Sequence, residues 1–334
     1  MSNDPESTEK RHGVAAVDRW KPVGLLQTLR RTDVLISGGG GLLQDNTSSF
    51  SLWYYLGIIY LARLLSVPVY VIGQGIGPIN KKYNKHLVNY GLRDVRGFLV
   101  RDENSFELLK FFGVPEDRII AGEDLAFFLP GKRNNPDDFL PSPNRDIVAA
   151  ALRNDIEGRS DVLRAVSSGL DMLQEKFGVS IVLFSSNSSS DREINDDIAS
   201  ATDASCNVID VGHLSPAQLI EMMRGLDLVI AGRLHTLIFS FISGTPVQAI
   251  SYDPKMDYLI QNVNELDPEQ NFSLWHPEEL INATEYLSDL ETTYRHKVEL
   301  SKSTTMVRKK ISNRGRRKLD QALEWIDREL EDDS

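Results

Sequence analysis

The sequence predicts an α/β protein of two βα domains facing a cleft, on three observations. Short β-branched runs end abruptly in glycines at 34–37 and 69–72. Strand-like and helix-like stretches alternate along most of the chain. The alternation stops once, in a stretch rich in Pro, Asn, Asp and Gly at 131–144, and then restarts. Apolar runs of this length, bounded by glycine and separated by helical patterns, are characteristic of buried parallel strands in α/β domains.

Taken in order, 22–30 is helical and leads to the strand at 34–37, which reads as buried. The stretch 51–65 has helical length and an apolar face, and delivers the chain to the strand at 69–72. A helix at 84–92 precedes a strand at 97–100. The amphipathic stretch 102–112 has Asp102 at its start and stops at Gly113, a cap residue at each end. A short strand at 118–121 closes the first domain, residues 1–130. After the 131–144 linker, the second domain (145–290) reads as strand 147–152, helix 159–177 and strand 180–184. Residues 185–191 (SSNSSSD) read as a polar loop. A strand at 208–211 comes next, then a helix at 215–224 with Ser215 as its N-cap, and a strand at 227–231. A helix over 232–244, closed by glycine, and a strand over 245–251 end this alternation, with Lys255 placed at the strand's end. Residues 291–334 read as a basic C-terminal helical segment.

Composition narrows the function classes. With 334 residues, 41% hydrophobic and 25% charged, the chain reads as globular and long enough for two domains. Net charge −11 argues against a general nucleic-acid binder. Cys206 is the only cysteine, which excludes a disulfide framework and a cysteine-rich zinc site. His12, His86, His213, His276 and His296 lack metal-ligand spacing, so no metal is expected. The longest apolar run, 52–62, is too short to cross a bilayer, and the first eleven residues are polar and charged. The reading is a reduced cytoplasmic protein.

Two clusters carry chemistry. Gly38, Gly39, Gly40 and Gly41, then Gly73, Gly75 and Gly77, lie where two strands end, the edge at which open α/β sheets bind ligands. Neither run is a dinucleotide fingerprint or a P-loop. The second cluster places Arg233 and His235 at the start of a helix directly after a strand, with Lys255 near the adjacent strand's end. Three basic side chains around a helix N-terminus suit a phosphate together with a carboxylate. Three solvated basic residues beside a capped core helix would have the same pattern. Tyr54 and Tyr55 read as packing residues. Asp45, Glu123 and Asp124 come after strand ends and suit either a general base or a helix cap.

Six ordered runs carry a resemblance: 36–45 (ISGGGGLLQD), 54–57 (YYLG), 73–78 (GQGIGP), 100–105 (VRDENS), 232–237 (GRLHTL) and 250–255 (ISYDPK). Spread from about residue 2 to about residue 260, they resemble the polysaccharide pyruvyl transferase family, closest to the CsaB-type enzymes that pyruvylate cell-wall polymers for S-layer attachment. The resemblance implies two Rossmann-like domains of the glycosyltransferase B-like kind. It implies transfer of the enolpyruvyl unit of phosphoenolpyruvate to a sugar as a cyclic ketal, with no metal or nucleotide cofactor. The family's phosphoenolpyruvate-binding Arg, His and Lys correspond to Arg101 (or Arg153), His235 and Lys255, with Arg233 beside them. Gly38, Gly39, Gly40, Gln74 and Gly75 would form a backbone loop on the acceptor side. Family members open with a strand, a glycine-rich loop and a helix that do not appear here, so the first βα unit is expected to be missing and the acceptor side affected.

His235 is then a proton donor or a phosphate ligand, and Asp45 a candidate base for the sugar hydroxyl. From Lys302 to Lys318 there are eight basic residues and no acidic ones, suiting either anionic lipid beneath a lipid-linked glycan or a solvated helix. Two alternatives stand beside the transferase: a nucleotide-sugar glycosyltransferase, and a truncated inactive paralogue or scaffold. Against the first, 233–246 holds no Glu for a ribose.

Overall fold

The computed structural model describes residues 1–46, 48–129, 140, 145–154, 158–185 and 188–332. Apart from Leu140, the expected linker lies outside the described residues. The chain forms two compact units, Met1–Leu125 with Arg314–Ser334, and Ala126–Asn313.

The first unit runs α1 (Pro5–His12), α2 (Pro22–Leu29), β1 (Leu35–Gly38), α3 (Ser49–Leu64), β2 (Val69–Gln74), α4 (Lys82–Leu92), β3 (Gly97–Val100), α5 (Glu103–Phe111) and β4 (Ile119–Ala121). Its four strands pair in the order β1-β2-β3-β4, all parallel. Every residue of β2 and β3 is buried, as expected for strands covered on both faces. The strand at 34–37 differs from its expectation: β1 is an edge strand that alternates in burial, and Ile36 is 50% exposed. An apolar run marks a strand but does not reveal whether a neighbour covers it. One side of the sheet packs on α3, α4 and α5 through residues such as Leu56, Ile59, Val88 and Leu109.

The second unit runs β5 (Ile147–Ala151), α6 (Arg159–Phe177), β6 (Ser180–Ser185), α7 (Ser188–Ala201), β7 (Cys206–Asp210), α8 (Pro216–Arg224), β8 (Leu228–Ala231), α9 (Leu234–Ser243), β9 (Val247–Ile250), α10 (Pro254–Leu266), β10 (Leu274–Trp275) and α11 (Ala283–Arg295). The strand order is β10-β9-β8-β5-β6-β7, again all parallel. Large apolar clusters cover both faces, one built on Phe241, Ile238 and Met256, the other on Leu170, Leu290 and Tyr286.

Helix α12 (Lys297–Asp332) is the long C-terminal helix. In the second unit its Leu300, Val307 and Ile311 join the core. In the first unit Ala322 and Ile326 pack under Tyr70, Ile72 and Leu99, and a Cβ on Gly97 would stand 2.4 Å from the Trp325 ring. That close approach is why β3 opens with glycine.

Caps behave as the sequence signals imply. Asp102 accepts from the Ser105 backbone and hydroxyl at 2.8 and 2.6 Å, and Ser215 forms a reciprocal box with Gln218. The polar loop expected at 185–191 is overturned for its last residues: Ser188 to Asp191 are the first turn of α7. Ser and Asp serve loops and helix starts equally well, so composition alone does not separate them. Lys255 likewise does not end a strand. With Asp253 as N-cap and Pro254 at the first position, it stands in the first turn of α10.

Candidate active site

In the first unit the two glycine runs are zipped together at the C-terminal edge of the sheet. Gly39 N–H donates to the Ile72 carbonyl at 3.1 Å, Gly75 N–H to Gly40 at 2.8 Å, and Gly77 N–H to Leu43 at 2.7 Å. Gly39 and Gly40 have φ of 75° and 64°, and nothing stands where their Cβ atoms would be, so the loop's outer side is open. Beneath it lies Gln74, fully buried, whose Nε2 donates to Ser37 Oγ at 2.8 Å. Its Oε1 has no hydrogen-bond partner among the described residues.

Arg101, directly after β3, lies along this loop. A Cβ on Gly75 would stand 2.6 Å from its Nε, which is the reason for glycine there. The guanidinium is nearly buried. Its Nη1 meets Asp124 Oδ2 at 3.0 Å, and its Nε lies 3.6 Å from Asp102 Oδ2. One cation between two carboxylates leaves a net negative trio, so Arg101 is held electrostatically by its neighbours while its guanidinium packs against Gly75. Ser105 accepts from Ile76 N–H at 2.8 Å.

Asp45 is buried and accepts from Asn80 N–H at 2.7 Å, Lys81 N–H at 2.9 Å and Asn84 Nδ2 at 2.8 Å. Burial pushes its carboxyl up, but those hydrogen bonds and the Lys81 charge outweigh it and hold the pKa below the ordinary value. A carboxylate so stabilised is a weak base. Glu123 is engaged by Arg314 Nε at 2.6 Å. Its pKa is raised because burial exceeds the pull of Arg314 and Lys318.

In the second unit, β5, β8 and β9 lie side by side and parallel, so the residues just beyond their C-terminal ends gather at one edge. Arg153 comes after β5, Arg233 and His235 after β8, and Tyr252 to Lys255 after β9. Gly232 allows the close approach of β8 to β5: its N–H donates to Ala151 at 2.9 Å, and a Cβ would stand 2.8 Å from the Leu152 side chain. Arg233 is the N-cap residue of α9 but makes no side-chain cap, which leaves the helix N-terminus without one. Its Nη2 instead donates to Asp191, a fully buried carboxylate on α7, and its Nε is buried with no hydrogen-bond partner among the described residues. His235 is exposed in the first turn, its ring 6.2 Å from that of Phe239.

The Arg153 guanidinium lies 4.8 Å over the Tyr252 ring. Burial pushes the Tyr252 phenol up despite the opposing pull of Arg153 and Arg233, so it remains a hydroxyl donor. Lys255 N–H is held by Asp253 Oδ1 at 3.0 Å, and the Lys255 side chain is partly exposed. The starts of α9 and α10 therefore present cations and helix-terminal N–H groups at the ends of adjacent strands, an arrangement that favours anions.

The predicted residues thus fall into two sets. Gly38, Gly39, Gly40, Gln74, Gly75, Asp45 and Arg101 belong to the first unit; Arg233, His235 and Lys255, joined by Arg153, belong to the second. Sequence reasoning missed Asp191 as the partner of Arg233 and Tyr252 as a neighbour of Arg153. Forty-two residues separate Asp191 from Arg233, and only the packing of α7 joins them.

Two all-parallel sheets, one edged by glycine turns and one by basic helix starts, make an α/β fold similar to that of glycosyltransferase B proteins. Among solved structures it is similar to Anabaena HepE in complex with UDP-glucose, with a TM-score of 0.60 and 13% identity over 96% of this chain and 88% of that one. A UDP-GlcNAc 2-epimerase from Neisseria meningitidis has a TM-score of 0.53 and 12% identity over 92% and 88%. These are likenesses of fold. Residues 1–254 match the family described as polysaccharide pyruvyl transferase, and the chain belongs to that family. A curated relative, the amylovoran biosynthesis protein AmsJ of Erwinia amylovora, is 23% identical over 254 residues, taking in 68% of this chain. The chain spans 58% of the length of that relative.

Proposed function

We propose that the chain takes part in envelope or extracellular polysaccharide synthesis by moving the enolpyruvyl unit of phosphoenolpyruvate onto a sugar as a pyruvate ketal. The observation that carries this is the cationic edge of the second sheet, where Arg153, Arg233, His235 and Lys255 come after three adjacent strands. Phosphoenolpyruvate carries a phosphate and a carboxylate on one small carbon frame, and several cations gathered at one edge suit it. Family membership and the name of the amylovoran relative supply the acceptor class. A lipid-linked acceptor belongs to the same proposal.

The chemistry sets the roles. A proton adds to C3 as one sugar hydroxyl forms its bond to C2 and gives up its own proton. The C2–O bond to phosphate then breaks, the leaving oxygen taking the electron pair, and a second hydroxyl closes on C2 with loss of its proton. Lys255 and Arg233 hold the donor's charges, with Asp191 fixing the direction of Arg233. Arg153 is better placed than Arg101 as the further cation, since Arg101 already lies between Asp102 and Asp124. His235 either donates the C3 proton or holds the phosphate. Asp45, with its low pKa and three donors, supports the loop and is a poor candidate for base.

The testing assay incubates the protein with phosphoenolpyruvate and a panel of lipid-linked disaccharides. It reads phosphate release together with the mass gain of a ketal on the sugar. Binding of a UDP-sugar with no response to phosphoenolpyruvate would favour a nucleotide-sugar glycosyltransferase instead.

A further inference from the structure

The first unit carries an exposed apolar face that the donor chemistry does not use. Helices α3 and α4 lie side by side, and between them runs a groove of about 310 Å³ lined by Trp53, Leu56, Gly57, Tyr60, Leu87 and Tyr90. Phe50 and Leu64 extend the same helices' exposed apolar surface and are 64% and 63% exposed. The aromatic rings are held in place. Trp53 Nε1 donates to buried Asn84 at 2.8 Å, and the Arg63 guanidinium lies 5.4 Å over Tyr60 and 4.9 Å over Tyr90. A large exposed apolar patch on a polar protein marks an interaction surface.

Its charge identifies the partner. Between Asn46 and Arg93 the sequence has no Asp or Glu, in a chain of net charge −11. The same segment holds Arg63, Lys81, Lys82, Lys85 and Arg93. Lys82, Lys85 and Arg93 are exposed on or beside α4; Arg63 pairs with Asp94 at 2.9 Å, and Lys81 Nζ donates to Ser49 at 2.8 Å. Tyr and Trp with an apolar body and a polar tip, aliphatic side chains between them and lysines around them, match the interfacial zone of an anionic bilayer. A second copy of the chain would bring one basic rim against another.

The C-terminal helix, the other basic region, exposes Lys302, Lys309, Arg316 and Arg317 but no aromatic side chain beside them among the described residues. Arg314 pairs with Glu123, Lys310 donates to the Leu266 carbonyl at 2.7 Å, and Arg308 and Lys318 are half-buried. We infer that the α3–α4 face docks the protein on an anionic lipid surface, with Phe50, Leu64 and Leu87 entering the interface and Lys82 and Lys85 at the headgroups. This holds whether or not phosphoenolpyruvate is the donor.

The test is flotation of the full chain with vesicles of phosphatidylcholine alone and with phosphatidylglycerol added. Binding is expected on the anionic vesicles and to fall with salt. Lys82→Gln/Lys85→Gln is expected to weaken partitioning about tenfold or more, and Phe50→Ser/Leu87→Ser comparably, with unchanged thermal melts. Lys309→Gln/Arg316→Gln, on exposed positions of α12, should leave it within about twofold, as expected if those two contribute little of the attraction. Loss of binding in the α12 variant alone would overturn the inference. So would a dimer in analytical ultracentrifugation that the α3–α4 variants dissociate while vesicles bind none of the proteins.

Discussion

Asp191→Asn tests the coupling at the centre of the second unit's edge. The change keeps the side chain's shape and removes its charge, leaving the Arg233 guanidinium without the carboxylate that its Nη2 addresses. Removing one member of a buried ion pair costs about 3–5 kcal/mol when the remaining charge is fully enclosed. Asp191 is fully buried, but the Arg233 side chain keeps 23% of its surface exposed, and water there screens part of the orphaned charge. A loss of about 2–3 kcal/mol is therefore expected. The second unit spans 126–313, a size at which each kcal/mol shifts the midpoint by about 2–4 °C, so the midpoint should fall by roughly 4–12 °C. Differential scanning calorimetry measures it, and the same scans with phosphoenolpyruvate read the site. Since Arg233 is then no longer aimed, the stabilisation by the anion should shrink. A melt within about 1 °C of the unchanged protein, with a full response to phosphoenolpyruvate, would refute the pair as the device that positions Arg233.

Three other outcomes are expected. Lys255→Ala should abolish most of the thermal shift by phosphoenolpyruvate, since a charge-assisted contact is worth about 1.5–3 kcal/mol, or tenfold or more in affinity; an unchanged shift removes Lys255 from the site. His235→Gln should lower turnover by roughly 10²–10⁴-fold with binding intact if the imidazole donates the proton, and weaken binding and turnover together if it holds phosphate. Titration calorimetry beside steady-state kinetics separates the two, and near-normal turnover rejects both. Asp45 has a lowered pKa, so its contribution to stability is present above its unfolded value and is lost as pH falls through the folded one. Asp45→Asn should cost about 1.5 kcal/mol or more at pH 7, and its difference in melting temperature from the parent protein should shrink at the acid end; a constant difference across pH would show that the charge is not what the loop uses.

Much of the fold was legible because its signals are local. The apolar runs at Val69 and Gly97 read as strands, and Asp102, Ser215 and Gly244 mark helix ends through bonds to their own neighbourhood. The basic residues at 233 and 235 were visible for the same reason, since Gly232 between a strand and an apolar run announces a helix start, whereas Lys255 read as a strand's end and stands in the first turn of α10. Local signals left other questions open. Nothing in the run at 34–37 says that β1 is an edge, because coverage depends on whether another strand arrives.

The run at 185–191 read as a polar loop, yet Ser188 to Asp191 open α7, a choice that Ser and Asp leave open in the sequence. Asp45 was equally suited to base or cap until Asn80, Lys81 and Asn84 were seen around it. Arg101 stood out by its place after a strand, while Asp102 and Asp124 on either side of its guanidinium came from the structure. A residue's type and its immediate neighbours determine which bonds it is able to make. Which of them it does make depends on partners tens of residues away, and only the tertiary structure brings those within reach.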